Sequence, residues 1–215
     1  MRRVLIAGIA TTGVALALIA GYTPMSEVRA QTETPENAQT AIFAGGCFWC
    51  VESDFDHVPG VVETVSGYTG GHLKDPTYMD VVSETTGHRE AVQITFDPSK
   101  VTYDQLLDVF WRSVDPTDPD GQFCDRGESY STAIYTIDGD QQALAEASSA
   151  KAMEALGKPI ATVIEPASVF YPAEDYHQDY YQKNPVRYNV YRLGCRRDAK
   201  VKALWGDEAH RGIEK

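Results

Sequence analysis

Apolar and polar positions along the chain switch between two periods, and each switch marks an element. "TAIFA" (40–44) reads as a short buried strand, Gly45-Gly46 as a tight turn, and Cys47 as a helix start. Val51, Phe55 and Val58 then follow at spacings of four and three, one apolar stripe of that helix. "VVETVSGYTGG" alternates as a strand, and "REAVQITFDP" is a second one stopped by Pro98. Thr102 is placed to cap a helix, "TYDQLLDVFWRSV", whose buried face is Leu106, Leu107, Phe110 and Val114. A loop rich in Asp, Pro and Gly (115–128) precedes the strand "YSTAIYTI". The strong helix formers of "DGDQQALAEASSAKAMEALG" stop at Gly157, and "ATVIEPASVFYP" is extended. A short polar helix is expected around "AEDYHQDYYQKNP", then an irregular tail holding Cys195 and a last helix, "RRDAKVKALWG". Strands and helices interleave irregularly, which predicts a single α+β or open α/β sandwich.

The first thirty residues follow other rules. Arg2-Arg3, the apolar run Val4 to Gly21 and the small residues of Val28-Arg29-Ala30 form a secretory signal with cleavage before Gln31. An uncleaved anchor is the competing reading, since the run is near the shortest length that spans a bilayer. The protein is thus expected to be exported, to the periplasm, with a linker at 31–39 and a catalytic domain at 40–215. The 1–30 segment holds three arginines and one glutamate, so its removal takes the net charge from −12 to −14. A chain this acidic, without a basic patch, is a poor partner for nucleic acid or anionic membrane.

All four cysteines, at 47, 50, 124 and 195, lie in the mature part. A domain of this size folds on its core alone, and a CxxC pair closes too short a loop to staple much. Redox chemistry is therefore favoured over structural bridges. A strand, two glycines and a cysteine at a helix start form a geometry that favours thiolate, against the alternative of a buried structural cysteine. No metal is expected. Cys124 and Cys195 are isolated, the five histidines include no ligand pair at helical spacing, and Val51 stands where haem attachment needs His. A thioredoxin-like module also uses strand, CxxC and helix, but Phe48-Trp49 fills the gap where such modules carry small residues or proline.

Glu90 enters an otherwise apolar strand from a glycine-histidine turn, so partial desolvation should raise its pKa and let it donate a proton. The plainer reading pairs it with Arg89 or solvent. Tyr78, Asp125 and Tyr130 could hydrogen-bond an oxygen, although any one of 12 tyrosines is more often core than catalytic. By composition His177 sits on a solvated helix.

"GGCFWC", "GYTGGHLKDPTYMDVVSETTGHREAV", "DPTDPDGQFCDRGESYSTAIY" and "FYPAEDYHQDYYQKNP", in that order, closely resemble the peptide methionine sulfoxide reductases of the A type. The likeness runs from about Thr40 to about Tyr191. It implies a single-domain α/β sandwich with an open mixed sheet, helices packed on it and a ferredoxin-like core. It implies reduction of the S epimer of methionine sulfoxide, free or in proteins, without a bound cofactor and with thioredoxin or a similar dithiol as electron donor; a monomer is expected, although the sequence leaves oligomeric state open. Cys47 matches the family's nucleophile and Glu90 its acid. Tyr78, Tyr130 and Asp125 match its oxygen-orienting groups. Phe48 and Trp49 match the wall that holds the S-methyl group, and His177 is counted with them as a substrate contact.

Two positions depart from the family pattern. Cys50 stands where the family usually has glycine, and the C-terminal region has one cysteine, Cys195, rather than two in a glycine-rich tail. The thiol that resolves a sulfenic acid on Cys47 is therefore open among three. Cys50 ranks first, one helical turn away on the same face; Cys195, needing a mobile tail, and Cys124, beside Asp125, follow. A thiol–disulfide oxidoreductase using Cys47 and Cys50 is the alternative function, and a redox-sensing binding protein a weaker third.

Overall fold

Strand β1 (Gln39–Gly45) lies at the centre of a six-stranded sheet in the computed structural model, which describes residues 34–214. The expected signal segment 1–30 and its cleavage site lie outside the described residues. Of the expected linker, residues 34–38 are non-regular, and Gln39 already pairs with Phe96. No helix among the described residues is long and apolar enough to cross a membrane.

Helix α1 (Phe48–Asp56) carries the chain from β1 to β2 (Val61–Thr69), which turns through the one-turn helix α2 (Tyr78–Val81) into β3 (Arg89–Phe96). Helix α3 (Tyr103–Trp111) begins at Thr102, whose hydroxyl accepts from the Gln105 N–H while Gln105 accepts from the Thr102 N–H. A two-residue-per-strand hairpin, β4 (Gly121–Gln122) with β5 (Asp125–Arg126), interrupts the polar loop before β6 (Thr132–Thr136). Helix α4 (Gly139–Leu156) ends at Gly157 in the left-handed conformation, as its sequence predicts. Strands β7 (Val163–Pro166) and β8 (Tyr171–Pro172) complete the sheet, in the order β7-β6-β1-β3-β2-β8. All neighbours are antiparallel except β6 and β7. The inner order β6-β1-β3-β2, with α1 and α3 as crossovers, is the expected ferredoxin-like core.

The two-residue period of the strands divides the core. Phe43, Val92, Ile94, Phe96 and Ile134 join α1, α3 and α4 in one large cluster, where Phe43 lies 5.4 Å from Phe55 and 5.1 Å from Phe110 between ring centres. The other face buries only Ile42, Ala44, Ala91, Ala133 and Tyr135, packed against Val163, Ala167 and Phe170.

The C-terminal third differs from its sequence reading. The polar helix expected around 173–185 is a set of turns followed by the one-turn helix α5 (Tyr180–Lys183). The irregular tail is helix α6 (Pro185–Gly194), leading to α7 (Arg197–Trp205). Burial decides both. Tyr188, Cys195, Arg197, Val201 and Trp205 reach the core from a stretch whose composition looks like solvent-facing helix. Cys195 caps α6 and is bonded to Cys124 across 71 residues, so it sits on no mobile tail.

Closing a loop of that length removes about 4 kcal/mol of chain entropy from the unfolded state. Cys195→Ser should lower the unfolding free energy by roughly 2–4 kcal/mol in urea titration under non-reducing conditions. An unchanged midpoint would mean that the bond adds nothing to stability.

Candidate active site

The site begins with backbone that only glycine can form. Gly46 has φ +81°, and a Cβ there would lie 2.5 Å from Cβ of Gln122 in β4; one on Gly45 would lie 2.9 Å from the Val51 side chain. The chain is thereby threaded between α1 and the β4–β5 hairpin, and Cys47 emerges as the N-cap of α1, its carbonyl accepting from the N–H groups of Cys50 and Val51. The next N–H, of Phe48, donates to Glu90 Oε2 at 2.9 Å.

Glu90 is 2% exposed on β3, on the same face as Val92, Ile94 and Phe96. Arg89, one residue away, points through the sheet to Ser131, Tyr135 and Glu165, so strand alternation separates the pair that the plainer reading joined. Burial pushes the Glu90 carboxyl well above its ordinary range, against the pull of the Phe48 N–H; the charges of Asp125 and Cys50 add to the rise. The carboxyl is neutral and can donate.

Cys47 is a free thiol, 6% exposed. A helix start alone favours thiolate, but here burial dominates and raises the thiol pKa. Contact with Cys50 adds to that, ionisation of Glu90 would add more, and the Tyr191 phenol opposes it. The expected lowered pKa is thus reversed in the resting site. Cys50, 1% exposed, goes the other way: a hydrogen bond from Cys47 lowers its pKa against burial, helped by the charges of Arg197 and Arg192. The two thiols share one hydrogen bond and are unequal.

The other predicted groups gather around this pair. Tyr78 and Tyr130 lie together near Glu90, and burial above all holds both phenols protonated. Asp125, its pKa raised by burial, accepts from the Tyr191 hydroxyl. His177 is not on a solvated helix. It is 2% exposed, 4.9 Å from the Phe48 ring and 4.7 Å from that of Tyr78, and its Nδ1 accepts from Trp49 Nε1 at 3.0 Å. Burial lowers its pKa, so the ring is neutral with its hydrogen on Nε2, a buried atom without a protein partner among the described residues.

Three contributors were missed in the sequence. Tyr180 stacks on Trp49 at 3.7 Å and 6°; Glu174 accepts from the Tyr78 N–H and the Tyr68 hydroxyl, both at 2.9 Å; Tyr191 donates to Asp125 and packs against the cluster of Cys47 and Cys50. The spacing Tyr188, Tyr191, Cys195 is a helical stripe, and it was the available signal. Cys124 and Cys195, bonded to each other, offer no free thiol in this state, and their sulfurs are not available to a metal although they lie with an Asp125 oxygen within 4.8 Å.

Such a site supplies electrons from sulfur and a proton from a buried acid, the chemistry of a thiol-dependent oxidoreductase. A family model described as peptide methionine sulfoxide reductase matches residues 39–209. The peptide methionine sulfoxide reductase MsrA 2 of Rhizobium meliloti (strain 1021) is 56% identical over 175 residues, covering 81% of this chain and 87% of its own. MsrA of Bacillus subtilis (strain 168) is 52% identical over 173 residues, covering 80% and 98%. Among solved structures, methionine sulfoxide reductase A of Corynebacterium diphtheriae aligns with a TM-score of 0.64 at 35% identity, over 70% of this chain and 77% of its own. The reduced form of Mxr1 from Saccharomyces cerevisiae aligns at 0.66 and 31%, over 70% and 88%. The chain belongs to the peptide methionine sulfoxide reductase family, A type, and is an enzyme that reduces methionine sulfoxide.

The burial of Glu90 has a pH signature. The folded chain holds a proton on Glu90 that the unfolded chain releases above about pH 4.3. Folded protein binds the extra proton, so stability falls as pH rises from that value toward the raised folded pKa. Removing the titration by Glu90→Gln should flatten this slope. The unfolding free energy of the variant, relative to wild type, should rise steadily between pH 4 and pH 8 in urea titrations. A difference that does not change with pH would mean that Glu90 is ionised in the folded site.

Proposed function

We propose that the enzyme reduces the S epimer of methionine sulfoxide, protein-bound and free, through a sulfenic acid on Cys47 that Cys50 converts to a Cys47–Cys50 disulfide. The observation that carries this reading is the buried thiol next in sequence to the N–H that holds a neutral carboxyl. A sulfoxide sulfur is electrophilic only when its oxygen is protonated or strongly hydrogen-bonded. Glu90 gives that proton, Tyr78 and Tyr130 orient the oxygen, and Phe48 with Trp49 forms an apolar wall for the S-methyl group. Cys47 sulfur attacks the sulfoxide sulfur, the oxygen passes to Cys47, methionine leaves, and the thiol proton restores Glu90. Cys50 then displaces water from the sulfenic acid. Thioredoxin or a similar dithiol returns two electrons and two protons.

The pattern at residues 1–30 supports export, with oxidised proteins outside the cytoplasm as clients. Thiol–disulfide exchange with folded clients is disfavoured because it leaves the buried, neutral Glu90 without a role.

Assays with the separate epimers and dithiothreitol test the proposal. Wild type should turn over the S epimer alone, Cys47→Ser neither. Glu90→Gln should lose about 10²–10⁴ in turnover while Cys47 stays open to alkylation. Equal use of the R epimer, or full activity of Glu90→Gln, would reject it.

A further inference from the structure

The disulfide joins two places that are each defined by a site residue. Cys124 precedes Asp125 at the tip of the β4–β5 hairpin, and Cys195 lies one helical turn beyond Tyr191, its N–H bonded to the Tyr191 carbonyl at 2.9 Å. The residues beside the two cysteines are themselves paired, the Tyr191 hydroxyl on Asp125 Oδ2. The Tyr191 ring also packs against the cluster that Cys47 and Cys50 form with Tyr180 and Tyr188. A covalent bond and a hydrogen bond therefore run in parallel between the same hairpin and the same helix, beside the cluster that holds the reacting sulfur.

The hairpin needs holding. It turns through Phe123 at φ +58°, a conformation that side chains rarely adopt. Other restraints come from α7, where Arg197 stacks 4.7 Å from the Phe123 ring centre and Lys200 donates to the Phe123 carbonyl at 3.2 Å, and from the preceding loop, where Arg126 pairs with Asp118 and Gln122 with the Asp115 backbone. None of these acts on α6, which carries Tyr191. Only the disulfide ties the hairpin to that helix covalently.

We propose that the Cys124–Cys195 disulfide is a clasp that positions the Tyr191–Asp125 pair against Cys47, and that it does not carry the electrons of each turnover. This rests on the assignment of Cys47 as the reacting thiol. Tyr191 has one hydrogen to share. When Cys47 is a thiol the phenol gives that hydrogen to Asp125. As thiolate forms, the phenol turns that hydrogen from Asp125 to sulfur, with no proton passed between the groups. The exchange works only while hairpin and helix stay in register. Cys124 and Cys195 are thus positioning residues, and Cys47 has its redox partner in Cys50.

The test reads Cys47 alkylation by iodoacetamide against pH, with mass spectrometry to separate it from Cys50, at a temperature where every variant is folded. Cys124→Ser, Cys195→Ser and Tyr191→Phe should each move the profile to higher pH by roughly half to one unit, the size of one hydrogen bond to a thiolate. Combining Cys124→Ser with Tyr191→Phe should move it no further, because both remove one contact. Wild type whose bridge has been reduced by dithiothreitol, then freed of reductant, should show the same shift with no substitution. Efficiency toward methionine sulfoxide should fall about fivefold in each. An unchanged profile in Cys124→Ser, or additive shifts, would overturn the clasp. So would a single turnover of fully reduced chain that ends with Cys124–Cys195 bonded and Cys47 and Cys50 still thiols. A sulfoxide assay that fails altogether while the profiles still shift would count against the reductase mechanism, not against the clasp.

Discussion

The bond from the Phe48 N–H to the Glu90 carboxyl fixes both the fold and its chemistry at one point. It joins the first turn of α1 to the start of β3 in a region closed to water. A buried carboxylate without a cation beside it costs several kcal/mol, and one N–H repays only part of that. Glu90 therefore stays protonated, and the carbonyl oxygen that accepts the N–H leaves its hydroxyl free to donate. The helix N-terminus, often a site for an anion, here holds a neutral acid, and this keeps the proton where a sulfoxide oxygen can take it.

The same enclosure makes the two cysteines unequal. Cys47 lies beside Glu90 and far up in pKa, whereas Cys50 feels Arg192 and Arg197. Arg197 is almost wholly buried, donating to the carbonyls of Gly45 and Ser113 at 3.1 and 2.9 Å, with Asp54 close by. Arg192 meets Asp54 at 2.8 Å. One cation thus pins the glycine turn that presents Cys47 and at the same time biases the neighbouring thiol toward ionisation. A thiol readily ionised is the better attacker of a sulfenic acid, so the charge favours the second step of the proposed mechanism.

The sequence told most where local rules decide. The Gly-Gly turn, the Thr102 cap, the stop at Gly157 and the alternation of β3 were legible, and that alternation placed Glu90 among apolar neighbours. It failed where tertiary burial overrides composition. His177 stands among acids and tyrosines and reads as solvated, yet it is packed between Phe48, Trp49 and Tyr78. Arg197, in a run of charges, is among the most buried side chains in the molecule. The tail around Cys195 has low mean hydropathy because its inward residues are tyrosine, cysteine and arginine, which a hydropathy pattern counts as polar or ambiguous. The pairing of Cys124 with Cys195 depends on that helix, so it was not readable before the helix was. The thiol pKa was misjudged for a related reason: the helix start was visible in the sequence, and the loss of water around it was not.

That loss of water has a consequence for what the site accepts. Thiol, carboxyl, phenols and imidazole are all neutral at rest, and the wall is Phe48, Trp49, Tyr180 and His177. A methionine sulfoxide side chain is neutral and dipolar, with a methyl group at its end. In the proposed mechanism it enters such surroundings without burying a charge, and its oxygen exchanges water for the donors of Glu90 and the two tyrosines. Charge then develops only as the sulfur–oxygen bond breaks, on atoms already faced by those donors. The low-dielectric surroundings that keep the resting thiol protonated also strengthen these hydrogen bonds in the transition state, so burial slows the formation of thiolate but favours the step that follows it.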